Sequence, residues 1–134
     1  MTDFNAHQVG AFGEKQCAKY VKHTKKFKII GKNVIIGKLE ADIIAATKEY
    51  IIFIEVKTRR QDKQNAHRPA SAVNKNKRTN LINFANIYCK SLPKKHQGKT
   101  PRIDVCEIMV VADKKLSVCE LNYIENAVNK ESAY

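Results

Sequence analysis

The stretch "YIIFIEVKTRR", residues 50–60, opens as a buried strand, with an almost unbroken apolar run. It ends on Glu55, Lys57, Arg59 and Arg60, which bring a carboxylate, an ammonium and two guanidiniums within six residues. A strand that carries its charge at one end is anchored in a core and delivers polar side chains to the rim of a sheet. Just upstream, "LEADIIAA" (39–46) is a second β-rich run, separated from the first by the polar residues around "TKEY". Two such runs with a short polar spacer predict a hairpin.

If that hairpin closes through a loop at 47–50, Asp42 lies opposite Glu55 and Glu40 lies opposite Lys57. Side chains alternate along a strand, so all four project to one side. Directly opposed residues hold their Cβ atoms roughly 4.5–5.5 Å apart, close enough for two carboxylates to share a cation, and a slip of one residue would undo the arrangement. Two opposed carboxylates repel unless something positive sits between them. A divalent metal such as Mg²⁺ answers that need, because it takes hard oxygen ligands and typically only one or two protein carboxylates, leaving positions for water and phosphate. Lys57 then serves as a point charge beside a phosphate or a metal-bound water. The plainer reading is an ordinary Glu40–Lys57 cross-strand pair with Asp42 and Glu55 as solvated strand ends. The buried flanking runs, the three acids with one base, and the basic chain weigh toward a functional site.

Composition points the same way. The 134 residues contain 25 Lys and Arg against 13 Asp and Glu, a formal net charge of +12, and 43% are apolar. That length and apolar content suit one folded domain with a real core, and the excess charge favours polyanions, nucleic acid first. The start "MTDFNAHQVG" has no basic segment followed by an apolar one, and no apolar run approaches the roughly 20 residues of a membrane span. The chain is therefore read as soluble and cytoplasmic, without a membrane partner. Cys17, Cys89, Cys106 and Cys119 are far apart and read as small buried hydrophobes rather than metal or disulfide residues.

Elsewhere, periodicity predicts a first amphipathic helix over 4–22, with Val9, Gly13, Cys17, Tyr20 and Val21 on one side, and a short strand in "IIGKNVIIG" ending near Gly37. A polar loop at 61–70 precedes a second helix from about Ser71, whose face carries Val73, Lys77, Leu81, Phe84, Ala85 and Tyr88. Lys77 on that face either snorkels to solvent or reaches the site edge. "RIDVCEIMVV" and "KLSVCEL" read as strands, with Asp104 structural. "NYIENAV", with Asn122 and Glu125 three residues apart, predicts a capped final helix. The sum is an α/β fold, a mixed β-sheet flanked by α-helices. Arg59 and Arg60 suit phosphate-backbone contacts. No histidine pattern supports catalysis.

These motifs resemble the PD-(D/E)XK nuclease core, in which an aspartate and an E-x-K pair occupy neighbouring strands. From Gly10 to about Ala127 the chain is similar to the YraN-like family of small nuclease-like bacterial proteins, themselves similar in fold to archaeal Holliday-junction resolvases. The residues that carry the resemblance are "GAFGEKQC", "EAD", "FIEVKTR", "AVNKNK", "RIDV" and "NYIENAV", with Leu39 where the family has glycine and Cys17 where it has a small residue. The resemblance implies a restriction-endonuclease-like fold and hydrolysis of phosphodiesters, in DNA first, with Mg²⁺ or Mn²⁺. In that reading Asp42, Glu55 and Lys57 are catalytic, and Asp42 and Glu55, joined by Glu14 from the first helix, are metal ligands. Lys75 and Lys77 join Arg59 and Arg60 as nucleic-acid contacts, and a homodimer follows by analogy with resolvases.

Overall fold

A computed structural model describes residues 4–61 and 75–128. The predicted loop at 61–70 falls outside these residues after Gln61, as does the start of the second helix, including Val73. Among the described residues the element order is α1 (Ala6–His23), β1 (Lys28–Ile36), β2 (Leu39–Ala46), β3 (Tyr50–Arg60), α2 (Lys75–Cys89), β4 (Thr100–Ala112) and β5 (Leu116–Val128), with a 3-10 turn at Lys94–His96.

The five strands form one sheet in sequence order. All neighbours are antiparallel except β3 and β4, which run parallel with α2 between them in the chain. A parallel pair needs a crossover of this length, whereas the antiparallel pairs close through tight turns. Gly37, at φ +62°, makes the β1–β2 turn in the left-handed region that glycine enters without steric cost.

Strand β3 is central, and its six residues Ile51–Val56 are all buried. Their alternation builds two cores. Ile52, Ile54 and Val56 pack with Val9, Cys17, Ala18 and Val21 of α1. Ile51 and Phe53 pack with Leu81, Phe84 and Ala85 of α2 on the opposite face, where Phe53 meets the Phe84 and Tyr88 rings edge-on at 5.8 and 5.5 Å. Each fully buried aromatic or branched side chain contributes about 1.5–3 kcal/mol. The result is the predicted mixed sheet flanked by helices.

Helix α1 starts where its cap does. The Asn5 side chain accepts from the Gln8 amide at 2.8 Å while the Asn5 amide donates to the Gln8 side chain at 2.9 Å, a reciprocal capping box. The helix lies close on β3 because Gly13 has no side chain. A Cβ there would fall within 2.9 Å of Thr58 Cβ.

The predicted final helix is not formed. Residues 116–128 are one long strand, paired antiparallel to β4 from Ala112↔Leu116 to Ile103↔Val128. The would-be capping pair has tertiary partners: Asn122 Nδ2 donates to Glu107 Oε1 at 3.2 Å, and Glu125 pairs with Lys25 at 3.0 Å. Tyr123 and Leu121 pack into the α1 core, and Ile124 and Ala127 into the α2 core. A half-turn of side-chain capping cannot compete with two buried faces and a full ladder. Asp104, fully buried, fastens the end of this strand. It accepts from Tyr123 Oη at 2.6 Å, from the Asn126 amide at 2.9 Å and from Arg102 Nε at 2.9 Å, so it is structural, as the sequence suggests.

Cys17 and Cys106 are buried and unoxidised, as expected of small hydrophobes, but Cys89 is half-buried and Cys119 exposed. Cys119 lies on β5, which forms one edge of the sheet, and faces solvent there. No helix among the described residues is long and apolar enough to cross a membrane.

Candidate active site

The hairpin register is the one its spacing predicts. Ile43↔Ile54, Ile44↔Phe53, Ala45↔Ile52 and Ala46↔Ile51 are partners, and the same register carried one step further sets Asp42 against Glu55. The ladder stops there. In place of another backbone rung, the Val56 amide donates to Asp42 Oδ2 at 2.9 Å, so the strands part and the two acids stand in the opening. Glu55 is only 3% exposed, held in place by the buried run before it. The Asp42 and Glu55 carboxyl groups lie close enough that each shifts the other's protonation.

Two acids so placed cannot both be comfortably ionised. Burial, then the charge of Asp42, pushes the Glu55 carboxyl up to about 7. Burial also raises Asp42, against the opposing pull of the Val56 amide and the Lys77 ammonium. That ammonium, on the first turn of α2, forms an ion pair with Glu55 Oε1. Burial would lower the Lys77 pKa, but its bond to Glu55 leaves it raised. Lys77 thus meets Glu55 while its side chain stays 43% exposed.

Glu14 approaches from α1. It shares with Asp42, Lys15, Lys32 and Asn33 a cavity of about 210 Å³. Its carboxyl is raised by burial and by Asp42 and Glu40, and lowered by a hydrogen bond with Asn33. Among the described residues, no three His, Cys, Asp or Glu side chains gather closely enough to cage a metal unaided. Asp42 and Glu55 nevertheless offer a hard-oxygen pair beside an open cavity, with mutual repulsion that a cation would relieve, and Mg²⁺ needs no more protein ligands than this. The donor set fits such an ion.

Lys57 lies two residues beyond Glu55, half-buried. Its pKa is lowered by burial and by Lys77 and Arg59, and held up by Glu55 and Glu107. Arg59 follows on the same face of β3, also half-buried. Arg60 is exposed, and one of its guanidinium nitrogens donates to the Phe4 carbonyl at 3.0 Å, tying β3 to the start of α1. Lys75 is the first residue of α2. Glu40 departs from expectation. It pairs with Ile35 of β1 and is exposed, and because the β2–β3 ladder ends at Ile43 it does not oppose Lys57.

Two residues near the site are absent from the sequence-derived set. Asn33, at φ +50°, reaches Glu14 from the β1 bend. Glu107 lies beside Lys57 across the parallel β3–β4 ladder, 8% exposed. Its signal was visible, since a carboxylate interrupts the apolar run of "VCEIMVV".

The mixed sheet, with an aspartate on one strand and an E-x-K pair on its neighbour, resembles the PD-(D/E)XK superfamily in fold. The chain belongs to the family described as "Uncharacterised protein family UPF0102", whose model matches residues 13–108. It is 36% identical over 127 residues to a UPF0102 protein of Caldanaerobacter subterraneus subsp. tengcongensis, covering 95% of this chain and 99% of that one. It is 35% identical over 124 residues to a UPF0102 protein of Clostridioides difficile, covering 92% and 98% respectively. A UPF0102 protein of Clostridium acetobutylicum is 34% identical over 120 residues, covering 90% and 93%.

Proposed function

We propose that this protein is a metal-dependent endonuclease that binds DNA and hydrolyses its phosphodiester bonds. The observation that carries the reading is the meeting of Asp42 and Glu55 at the parted end of the β2–β3 hairpin, with Lys57 two residues on. Asp42 and Glu55, with Glu14 behind them, would hold Mg²⁺ or Mn²⁺. Such an ion, when bound, polarises a phosphate and makes water a better nucleophile. Lys57 stabilises the negative charge that develops on the phosphate. The net charge of +12 draws the polyanion in, and Arg59, Arg60, Lys75 and Lys77 contact its backbone. Branched or junction DNA is the substrate suggested by the likeness to archaeal resolvases, which cut symmetric junctions as dimers, and a homodimer belongs to the same proposal.

The Lys77–Glu55 pair supports a second reading. An ammonium already neutralises one metal ligand, as in a nucleic-acid-binding module that keeps the nuclease fold but has little activity alone. The test incubates the protein with Mg²⁺ or Mn²⁺ and single-stranded, duplex or four-way-junction DNA, or RNA, beside Lys57→Ala and Glu55→Gln. Metal-dependent cleavage lost in both variants supports the enzyme. Salt-sensitive binding with no cleavage of any substrate supports the module, and absence of both metal and nucleic-acid binding refutes both.

A further inference from the structure

The acids of this chain are unevenly spread. Residues 63–103 contain ten Lys and Arg and no Asp or Glu, although the whole sequence carries 13 acids. That stretch includes all of α2 and the loop that joins it to β4. Because β3 and β4 are parallel, the crossover through α2 must return from the charged end of β3 to the opposite end of the sheet. Contacts fix both ends of this path. Lys77 meets Glu55 at the first turn of α2, and the loop after the helix reaches the β2–β3 turn, where the Thr100 amide donates to the Glu49 carbonyl at 2.8 Å.

Leu81, Phe84 and Ala85 of α2 turn inward, while Asn76, Asn80, Asn83 and Asn86 are exposed, beside Ile87. Asparagine is a weaker helix former than the Lys, Glu or Gln usual on a solvated face, so helix propensity does not account for these four. Their amides can donate to phosphate oxygens, which a carboxylate at the same positions would repel. Past the helix lies an open cavity of about 530 Å³ lined by Lys48, Lys95 and Lys99, with Glu49 as its acid. Lys99 Nζ lies 3.1 Å from Nδ1 of the buried His96, a contact that places the ammonium without neutralising it. The 15 residues of α2 span roughly 22 Å. Duplex nucleic acid advances about 3.4 Å per nucleotide along each strand, so a backbone leaving Lys57 along the helix would reach the lysine cavity after about six base pairs.

We propose that the outward face of α2 and the lysine cavity beyond it form a track for the phosphate backbone of a nucleic acid, so that the protein grips its substrate along one side of the cleavage position. This inference rests on the nucleic-acid reading above and names the surface, and the direction from Lys57, along which the substrate lies.

The experiment measures fluorescence-anisotropy binding of a 20-base-pair DNA duplex over a range of salt concentrations, without divalent metal so that cleavage cannot interfere. The double variant Lys95→Glu with Lys99→Glu is compared with Lys19→Glu and Lys22→Glu, two exposed lysines of α1, which change the net charge by the same amount away from the track. The first pair should lose at least tenfold in affinity and flatten the slope of log affinity against log salt by roughly two, and the second pair should lose far less. Asn83→Asp with Asn86→Asp touches no lysine and should also weaken binding several-fold; lying on an exposed helix face, it carries the test if the lysine variant does not fold. Equal losses in the α1 and cavity pairs, or wild-type affinity in the cavity and asparagine variants, overturn the track while the nucleic-acid reading stands. Failure of the wild-type protein to bind overturns both.

Discussion

The Val56 amide donates to Asp42 Oδ2 across 2.9 Å, where the next backbone rung of the β2–β3 hairpin would otherwise fall. One oxygen of Asp42 is thus a structural acceptor that holds the strand end open. The same carboxyl group also lies close to Glu55. A single carboxylate both shapes the opening and is the ligand proposed for a metal there.

These two duties separate by substitution. Asp42→Asn keeps an acceptor for Val56 and removes the repulsion with Glu55, so it should melt a few degrees higher than wild type while losing at least tenfold in Mn²⁺ affinity. Asp42→Ala orphans the Val56 amide and should be about 1–2 kcal/mol less stable than Asp42→Asn. Calorimetric melting and Mn²⁺ titration read both effects. Equal stability of the two variants would remove the structural role.

The raised Glu55 carboxyl makes stability fall as pH rises. Burial and Asp42 lift its pKa from 4.5 to about 7, so between those values the folded state binds more protons than the unfolded chain, and each step upward in pH favours unfolding. Without divalent metal the protein should be more stable at pH 5.5 than at pH 8, by on the order of 1–2 kcal/mol. Glu55→Gln should flatten that slope, seen as melting temperatures across the range. Mn²⁺ affinity runs the opposite way, rising with pH as the carboxyl gives up its proton.

How far the chain announced this arrangement depends on the kind of signal each residue left. Asp42 and Glu55 were legible because a short hairpin fixes register, and register fixes which side chains meet. Glu40 belonged to the same pattern, but the extrapolation assumed that the ladder continued, and the Asp42 bond to Val56 ends it. The error at 122–128 was one of competition. Asn122 and Glu125 have capping spacing, yet capping is local, and β4 offered those residues a ladder, Glu107 and Lys25. Asn33 carried no periodic signal, because only the positive φ of its bend turns it toward Glu14.

Lys77 Nζ pairs with Glu55 Oε1, an oxygen that the proposed metal would also need. Lys77→Gln should therefore bind Mn²⁺ more tightly at pH 8, by several-fold in isothermal titration, while binding DNA more weakly. Its stability cost should be modest, about 1 kcal/mol at pH 8, because the Lys77 side chain is 43% exposed and partly screened by solvent. At pH 5.5, with Glu55 protonated, that cost should vanish. Unchanged Mn²⁺ affinity would show that the ammonium does not stand in the metal's place.

Gly13 sets the distance between α1 and β3. Gly13→Ala drives a methyl into the Thr58 side chain, and overpacking of this kind costs typically 1–3 kcal/mol. Because Glu14 is the next residue, the helix cannot retreat without carrying that carboxylate away from Asp42. The variant should therefore lose both melting temperature and Mn²⁺ affinity. Gly10→Ala on the same helix, where an added Cβ meets nothing within 4 Å, should keep its Mn²⁺ affinity and gain slightly in stability from helix propensity.

Tyr123 tests the buried polar fastening that replaces the expected final helix. Its hydroxyl donates to Asp104 at 2.6 Å, and burial together with that bond pushes its pKa well above the usual phenol range. Tyr123→Phe keeps the ring contacts with Tyr20 and Phe27 and deletes one bond to a fully buried carboxylate. Hydrogen bonds to charged groups contribute about 1.5–3 kcal/mol, so denaturant unfolding should show a loss of that size with an unchanged m-value. Asp104 keeps its bonds from Arg102 and Asn126, so β5 should stay paired and amide exchange along the Glu107↔Asn122 rung should remain slow. Fast exchange there would mean that the tyrosine, rather than the ladder, holds the strand in place.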